Sequence, residues 1–259
     1  MSKILYDGLL KDAQSPQLSH KESGFAYGLG VFDTALIIDG EMQHAKLHFD
    51  RLVHDAKMVL GQSPYTQLEA YLADIRTLLA AQNMLEGRVR VRTSIFGGQV
   101  TKPLAPITDI HTLTDAGYAP DPSELPPIHA ILTDAFPKIA GSALENCKRL
   151  DYTGAYLARR LAESHDCNEA LLTNTLGHVV CATTSNLFLE DDTGKWITPP
   201  LSEGILDGTM RRAVMEELTV FEAPLSVADV INAPALYLSN SISGVRKIAS
   251  LKNLIRQKA

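Results

Sequence analysis

The sequence predicts an α+β fold in two domains, and three observations carry that prediction. Short β-branched or alternating runs outnumber helical ones, the helical runs show no regular β–α–β alternation, and one proline-rich stretch divides the chain. Many short strands with a few helices packed on them suit an α+β or barrel-like sheet better than a repeating parallel one. With 259 residues, 45% of them apolar and 21% charged, the chain has globular composition and enough length for one large or two modest cores.

Lys3 to Leu9 is short and partly alternating, as a strand would be. Thr34 to Ile38 is apolar and β-branched, and the Asp39-Gly40 that follows is a strong hairpin signal. From Leu47 to Leu60 apolar residues recur at helical spacing, and Thr66 to Gln82 repeats the pattern through Leu68, Tyr71, Leu72, Ile75, Leu78 and Leu79. Arg88 to Ile95 alternates as a strand does. The segment Asp115 to Pro127 (DAGYAPDPSELPP) holds four prolines and a glycine, which cannot continue a helix or a central strand. The domains are therefore placed at 1–118 and 128–259, with a linker at 119–127. Beyond it, Ile128 to Thr133, Glu169 to Thr173, His178 to Cys181, Asn186 to Leu189 and Ala235 to Ser239 read as strands. Tyr152 to His165 and Gly208 to Leu218 read as helices.

Composition narrows the function classes. A formal net charge of −6 argues against a nucleic-acid or anionic-membrane partner. No apolar run approaches the ~20 residues of a membrane span, and Met1 to Tyr6 lacks the ~7–15-residue apolar core of a signal peptide. The expected location is the cytoplasm. Cys147, Cys167 and Cys181 are odd in number with no CxxC, which fits reduced thiols. There is no HExxH and no Cys/His cluster of zinc spacing, so no metal is expected. Gly28 and Gly30 do not open a G-x-G-x-x-G helix, so neither is a nicotinamide site.

Lys148 lies in Glu-Asn-Cys-Lys-Arg-Leu-Asp-Tyr, just before an amphipathic helix. Alone, a lysine reads as a solvated surface residue. Its surroundings in sequence change that. Downstream stand Glu169-Ala-Leu-Leu172, then Val180-Cys181-Ala-Thr-Thr-Ser-Asn-Leu-Phe188, then Thr198-Pro-Pro-Leu-Ser-Glu-Gly-Ile-Leu-Asp-Gly-Thr-Met-Arg211. Upstream stand Ser23-Gly-Phe-Ala-Tyr-Gly-Leu-Gly-Val-Phe-Asp-Thr34 and Leu47-His-Phe-Asp-Arg-Leu52. This ordered set, spread over nearly the whole chain, resembles the class IV aminotransferases. That family includes branched-chain and D-amino-acid aminotransferases and aminodeoxychorismate lyase.

The resemblance implies a smaller N-terminal α/β sandwich, a larger C-terminal barrel-like sheet with helices, a homodimer, and pyridoxal 5′-phosphate (PLP) as cofactor. It implies that Lys148 forms a Schiff base with the cofactor and shuttles the proton. Arg51 would pair with the cofactor phosphate, as a planar guanidinium suits an anion. Thr209, at a helix start, and Asn240 with Ser241, after a strand, would offer further phosphate donors. Tyr152 would bond the ring 3′-oxygen, and Tyr27 and Arg90 would meet the substrate. Alternation puts Arg88, Arg90 and Arg92 on one strand face, which reads either as a carboxylate trap or as an ion-paired surface.

One position departs from the pattern. Cys181 stands where the family has a glutamate facing the pyridine nitrogen. That carboxylate keeps the nitrogen protonated and the ring an electron sink, whereas a thiol with a free pKa near ~8.5 does so far less. Either the chemistry needs less delocalisation, or activity is low, or another residue supplies the charge; His178 and Glu169 are nearby in sequence. Three readings follow. The first is amino-group transfer between an amino acid or amine and a 2-oxo acid. The second is a lyase of the aminodeoxychorismate type that releases pyruvate. The third is a PLP-binding homologue with weak or lost catalysis.

Overall fold

The structure, a computed structural model, describes residues 2–16, 18–98 and 109–255. The chain divides into two compact units, Met1–Asp121 with Cys147–Asp151, and Pro122–Asn146 with Tyr152–Ala259. The five-residue segment that carries Lys148 thus belongs to the first unit, although the chain on either side of it belongs to the second.

In the first unit β1 (Lys3–Tyr6) and β2 (Leu9–Asp12) lead to the short helix α1 (Ser23–Tyr27). Then follow β3 (Gly30–Ile38), β4 (Glu41–Met42), helices α2 (Ala45–Leu60) and α3 (Leu68–Gln82), β5 (Arg88–Gly97) and β6 (Ile110–Tyr118). The run predicted as one strand, Lys3 to Leu9, is a hairpin instead. Asp7 and Gly8 both adopt positive φ, the backbone an Asp-Gly turn supplies at low cost. The first four residues of the proline-rich stretch, Asp115 to Tyr118, also proved to be strand: they close β6, which pairs with β5 along its whole length. The sheet order is β2-β1-β6-β5-β3-β4, antiparallel throughout. Helices α2 and α3 pack on it through Leu52, Ala56, Tyr71, Ile75 and Leu79, against Val31, Ile37, Val89, Val91 and Ile95. A fully buried leucine in such a core contributes roughly 1.5–3 kcal/mol.

The second unit runs through β7 (Ile128–Lys138), α4 (Thr153–Glu163), β8 (Glu169–Asn174), β9 (Val179–Ala182), β10 (Asn186–Glu190), β11 (Trp196–Thr198), α5 (Thr209–Glu217), β12 (Val220–Glu222), α6 (Val227–Asn232), β13 (Ala235–Asn240) and β14 (Gly244–Asn253). Strands β10, β13, β14, β7, β8 and β9 follow one another in hydrogen-bonded order, and β9 pairs back with β10. Six strands therefore close into a barrel, sealed by the pair Asn186 and Cys181. One hydrophobic cluster draws residues from every one of these strands, among them Ala130, Leu132, Leu171, Val179, Leu187, Leu238 and Ile248, and so fills the interior. On the outer side α4 lays Ala158 and Ala162 against Ile131, Ala170, Leu172 and Cys181. The predicted α+β class with a barrel-like C-terminal sheet is what the chain adopts.

Candidate active site

In the first unit, β4 is too short to cover the whole edge of β3, pairing only with Ile37 and Ile38. Segment 147–151 takes the uncovered part. Phe32 N–H donates to the Lys148 carbonyl at 2.8 Å, Leu150 N–H donates to the Gly30 carbonyl at 2.9 Å, and Val31 bridges Arg149. Gly30 permits this approach: a Cβ there would lie 2.6 Å from the Ile95 carbonyl oxygen and 2.6 Å from Leu150 Cδ1. The Lys148 N–H donates in turn to Asp55 Oδ2 at 2.8 Å, so both main-chain polar groups of this lysine are held.

The Lys148 Nζ sits 4.5 Å from the centroid of Phe32, and the Arg92 guanidinium carbon 3.8 Å from the same centroid. Burial, and next the guanidinium of Arg51, lower the Lys148 pKa to about 7; Arg92 acts in the same direction, while Asp33 and Asp55 oppose it. Near neutrality a large fraction of this amine is uncharged and able to attack a carbonyl. Arg51 is itself buried on α2 and donates to Asp33, which also accepts from His48 Nδ1 at 2.7 Å. Burial alone would raise the Asp33 pKa. The His48 ring and the Arg51 guanidinium outweigh it and hold this carboxylate below its usual range.

Of the three β5 arginines, Arg90 donates to Asp115 Oδ1 at 2.7 Å and Arg88 to the Pro120 carbonyl at 3.3 Å. They share one half-buried face with Arg92, as alternation predicts. Arg92 is one of the charges that act on Lys148. Tyr27 closes α1 and is 69% exposed.

In the second unit Thr209 opens α5, with its hydroxyl 2.8 Å from that of Ser241 and 1% of its surface exposed. Gly208 before it is needed because a Cβ would overlap Asn186 Oδ1 at 2.0 Å. A helix N-terminus with two hydroxyls beside it suits a phosphate. Asn240 is placed differently from its neighbour. Its Oδ1 accepts from the N–H groups of Ile242 and Ser243 at 3.0 and 2.9 Å and its Nδ2 donates to Ser185 at 3.1 Å, so this side chain shapes the β13–β14 turn.

Cys181 is buried at the barrel seam. Burial pushes its thiol up to about 11, with Lys138 working against the rise and Glu145 and Glu169 adding to it. It is a neutral thiol at pH 7. Glu169 is engaged by Thr183, by the Ala170 N–H at 2.8 Å and by Arg159 at 3.2 Å, and His178 Nδ1 pairs with Glu203 at 2.7 Å. Glu169 is thus one of the charges acting on Cys181, and the others come from elsewhere. Lys138 and Glu145, paired at 3.1 Å, act on it, and Tyr152 in turn acts on Lys138. Lys138 lies in no recognisable motif, and Glu145 stands three residues before Lys148.

By residue type, the first unit offers an amine of lowered pKa and a buried guanidinium, and the second a helix start with two hydroxyls, donors that suit an aldehyde and a phosphate. Cys181, which brings no negative charge, does not fit. The sequence profile described as amino-transferase class IV matches residues 30–251. The chain belongs to the class IV aminotransferase family.

Its relatives within that family span more than one activity. A putative branched-chain-amino-acid aminotransferase of Methanocaldococcus jannaschii is 26% identical over 94% of this chain and 85% of its own length. A putative aminodeoxychorismate lyase of Schizosaccharomyces pombe is 29% identical over 84% and 87%. The crystal structure of the branched-chain aminotransferase of Thermoproteus uzoniensis with norvaline superposes with a TM-score of 0.88 at 20% identity, covering 99% of this chain and 89% of that one. Class IV aminotransferases are PLP-dependent. Sequence reasoning gave no role to Asp33, His48 or Asp55, although the first two stand inside the quoted motifs. For His48 and Asp55 the signal was a polar line with Arg51 along the core-facing side of a helix.

Proposed function

We propose that this class IV family member holds PLP through Lys148 and moves an amino group between an amino acid or amine and a 2-oxo acid. The observation that carries the reading is the Lys148 amine, fixed through its main chain and brought near neutral pKa by burial and Arg51. When bound, the cofactor supplies an aldehyde for that amine and a ring that withdraws electrons from the substrate carbon. Lys148 would take the proton from the substrate Cα and deliver it to the cofactor carbon that carried the aldehyde. Arg51, held by Asp33, and the Thr209 and Ser241 hydroxyls would be donors to phosphate oxygens. Arg92, over the same Phe32 ring as the Lys148 amine, is the arginine we assign to a substrate carboxylate, ahead of Arg90.

A second reading, a lyase releasing pyruvate, follows the aminodeoxychorismate lyases among the relatives. The neutral Cys181 thiol favours a third, a PLP binder with weak or lost catalysis. It gives the ring nitrogen no carboxylate, which handicaps a reaction that depends on the ring as electron sink. Two assays on the PLP-loaded protein separate the readings. Amino transfer from a donor panel to 2-oxo acids supports the first, and pyruvate release without any acceptor supports the second. Activity in neither assay leaves a PLP binder with lost catalysis.

Thr209→Ala gives a smaller expected effect. A hydrogen bond to a charged group is worth about 1.5–3 kcal/mol, so PLP binding should weaken roughly 10-fold or more. Spectral titration of the protein with PLP checks this, and Thr209→Ser should recover most of the loss.

A further inference from the structure

We propose that Asp55 is a positioning residue for the Lys148 amine, a buried carboxylate on α2 that clamps the main chain at Cys147 and Lys148. The proposal rests on the reading of Lys148 as the reactive amine. Three observations carry it. Asp55 is 2% exposed on the core-facing side of α2, where an acid has no packing reason to be. Its Oδ2 accepts the Lys148 N–H at 2.8 Å, from a residue 93 positions away in sequence. The same carboxylate accepts a hydrogen bond from the Cys147 thiol, which stays protonated because burial, and then Asp55 itself, push its pKa up to about 12.

With Phe32 N–H on the Lys148 carbonyl, this clamp fixes the peptide units on both sides of the lysine Cα. The side chain therefore leaves the backbone in one direction, toward Phe32 and Arg92. A neutral acceptor would hold the N–H equally well. The charge has a separate effect. Asp55 and Asp33 favour the ammonium form of Lys148, and Arg51 and Arg92 disfavour it. Asp55 is faced by Arg51 and His54 from its own helix and by Cys147 and Lys148 from the docked segment.

Burial, the largest influence on Asp55, raises its pKa despite the hydrogen bond from Lys148. A raised folded-state pKa means that this group's contribution to stability is full below the unfolded value and is lost as pH rises through the folded one. At neutral pH the Asp55 carboxylate therefore costs folding free energy, and a merely structural acid would not be expected there.

Asp55→Asn and Asp55→Ala in the full chain test the proposal. The Lys148 pKa is read by competitive acetylation with peptide mapping across pH, which needs no cofactor. PLP capture is read separately as a borohydride-reducible bond mapped to Lys148. For Asp55→Asn we expect the Lys148 midpoint at lower pH than in the parent, with a Tm equal or higher. For Asp55→Ala we expect that same shift, with PLP capture several-fold slower than in Asp55→Asn. An unchanged midpoint in Asp55→Asn overturns the charge effect, and equal capture by the two variants, when the parent captures PLP, overturns the clamp. If the midpoint shifts but PLP is never reduced onto Lys148 in the parent chain, the effect of Asp55 on the amine stands and the functional reading falls.

Discussion

Lys148→Ala should leave a folded protein that has lost amino transfer by at least ~10²–10⁴-fold, the span attributed to one positioned acid–base group. The loss of the covalent anchor adds to that. The fold should survive because the ammonium form is disfavoured where this lysine sits. Its folded pKa is lowered to about 7, so the unfolded chain binds more protons between there and the free value near ~10.4. Parent stability accordingly rises with pH across that window, and the alanine variant should lack the slope. Thermal melts at several pH values, run beside the activity assay, check both parts. A wild-type rate in Lys148→Ala would end the proposed mechanism.

Asp33→Ala carries the largest expected cost in stability. Asp33 is 1% exposed and is the shared acceptor of buried Arg51 and buried His48. Its removal leaves the Arg51 cation inside the core without that carboxylate, a change worth about 3–5 kcal/mol when a buried pair is broken. The pH dependence has a definite sign. Because the folded-state pKa is depressed, Asp33 contributes fully above the unfolded value of ~3.9 and loses its contribution only as pH falls through the lower folded value. Acid should therefore narrow the gap between parent and variant. Denaturant titrations at neutral and acidic pH would show it, and a gap that stays constant would contradict the assignment of Asp33 as the charged partner.

Much of the fold was legible because its elements are long and periodic. Helices α2 and α3 begin within two residues of where the spacing of Leu47 to Leu60 and Thr66 to Gln82 puts them. The Asp39-Gly40 turn joins β3 to β4 as the dipeptide indicates. What could not be read was strand held by partners rather than by its own pattern. Ile110 to Tyr118 contains Asp115 and Gly117, and Gly244 to Asn253 is largely polar, yet each is paired on both sides. The candidate site divides in the same way. Lys148, Arg51 and Thr209 stood in motifs. Asp55 did not, because what matters about it is a neighbour far along the chain; nor did Lys138, whose effect falls on Cys181 in another strand. Asn240 illustrates the converse: Asn-Ser after a strand is equally the start of a turn, and the turn is what its oxygen makes.

The free edge of β3 has a consequence for how the protein comes into being. An ordinary lysine in the nascent chain is a protonated bystander to any aldehyde. Lys148 becomes a nucleophile only after residues 147–151 have been stitched onto a strand and a helix made about a hundred residues earlier. Under the proposed function, uptake of the coenzyme waits for one of the longest-range events in the assembly of the first unit, and the appearance of colour in a refolding mixture would time that event.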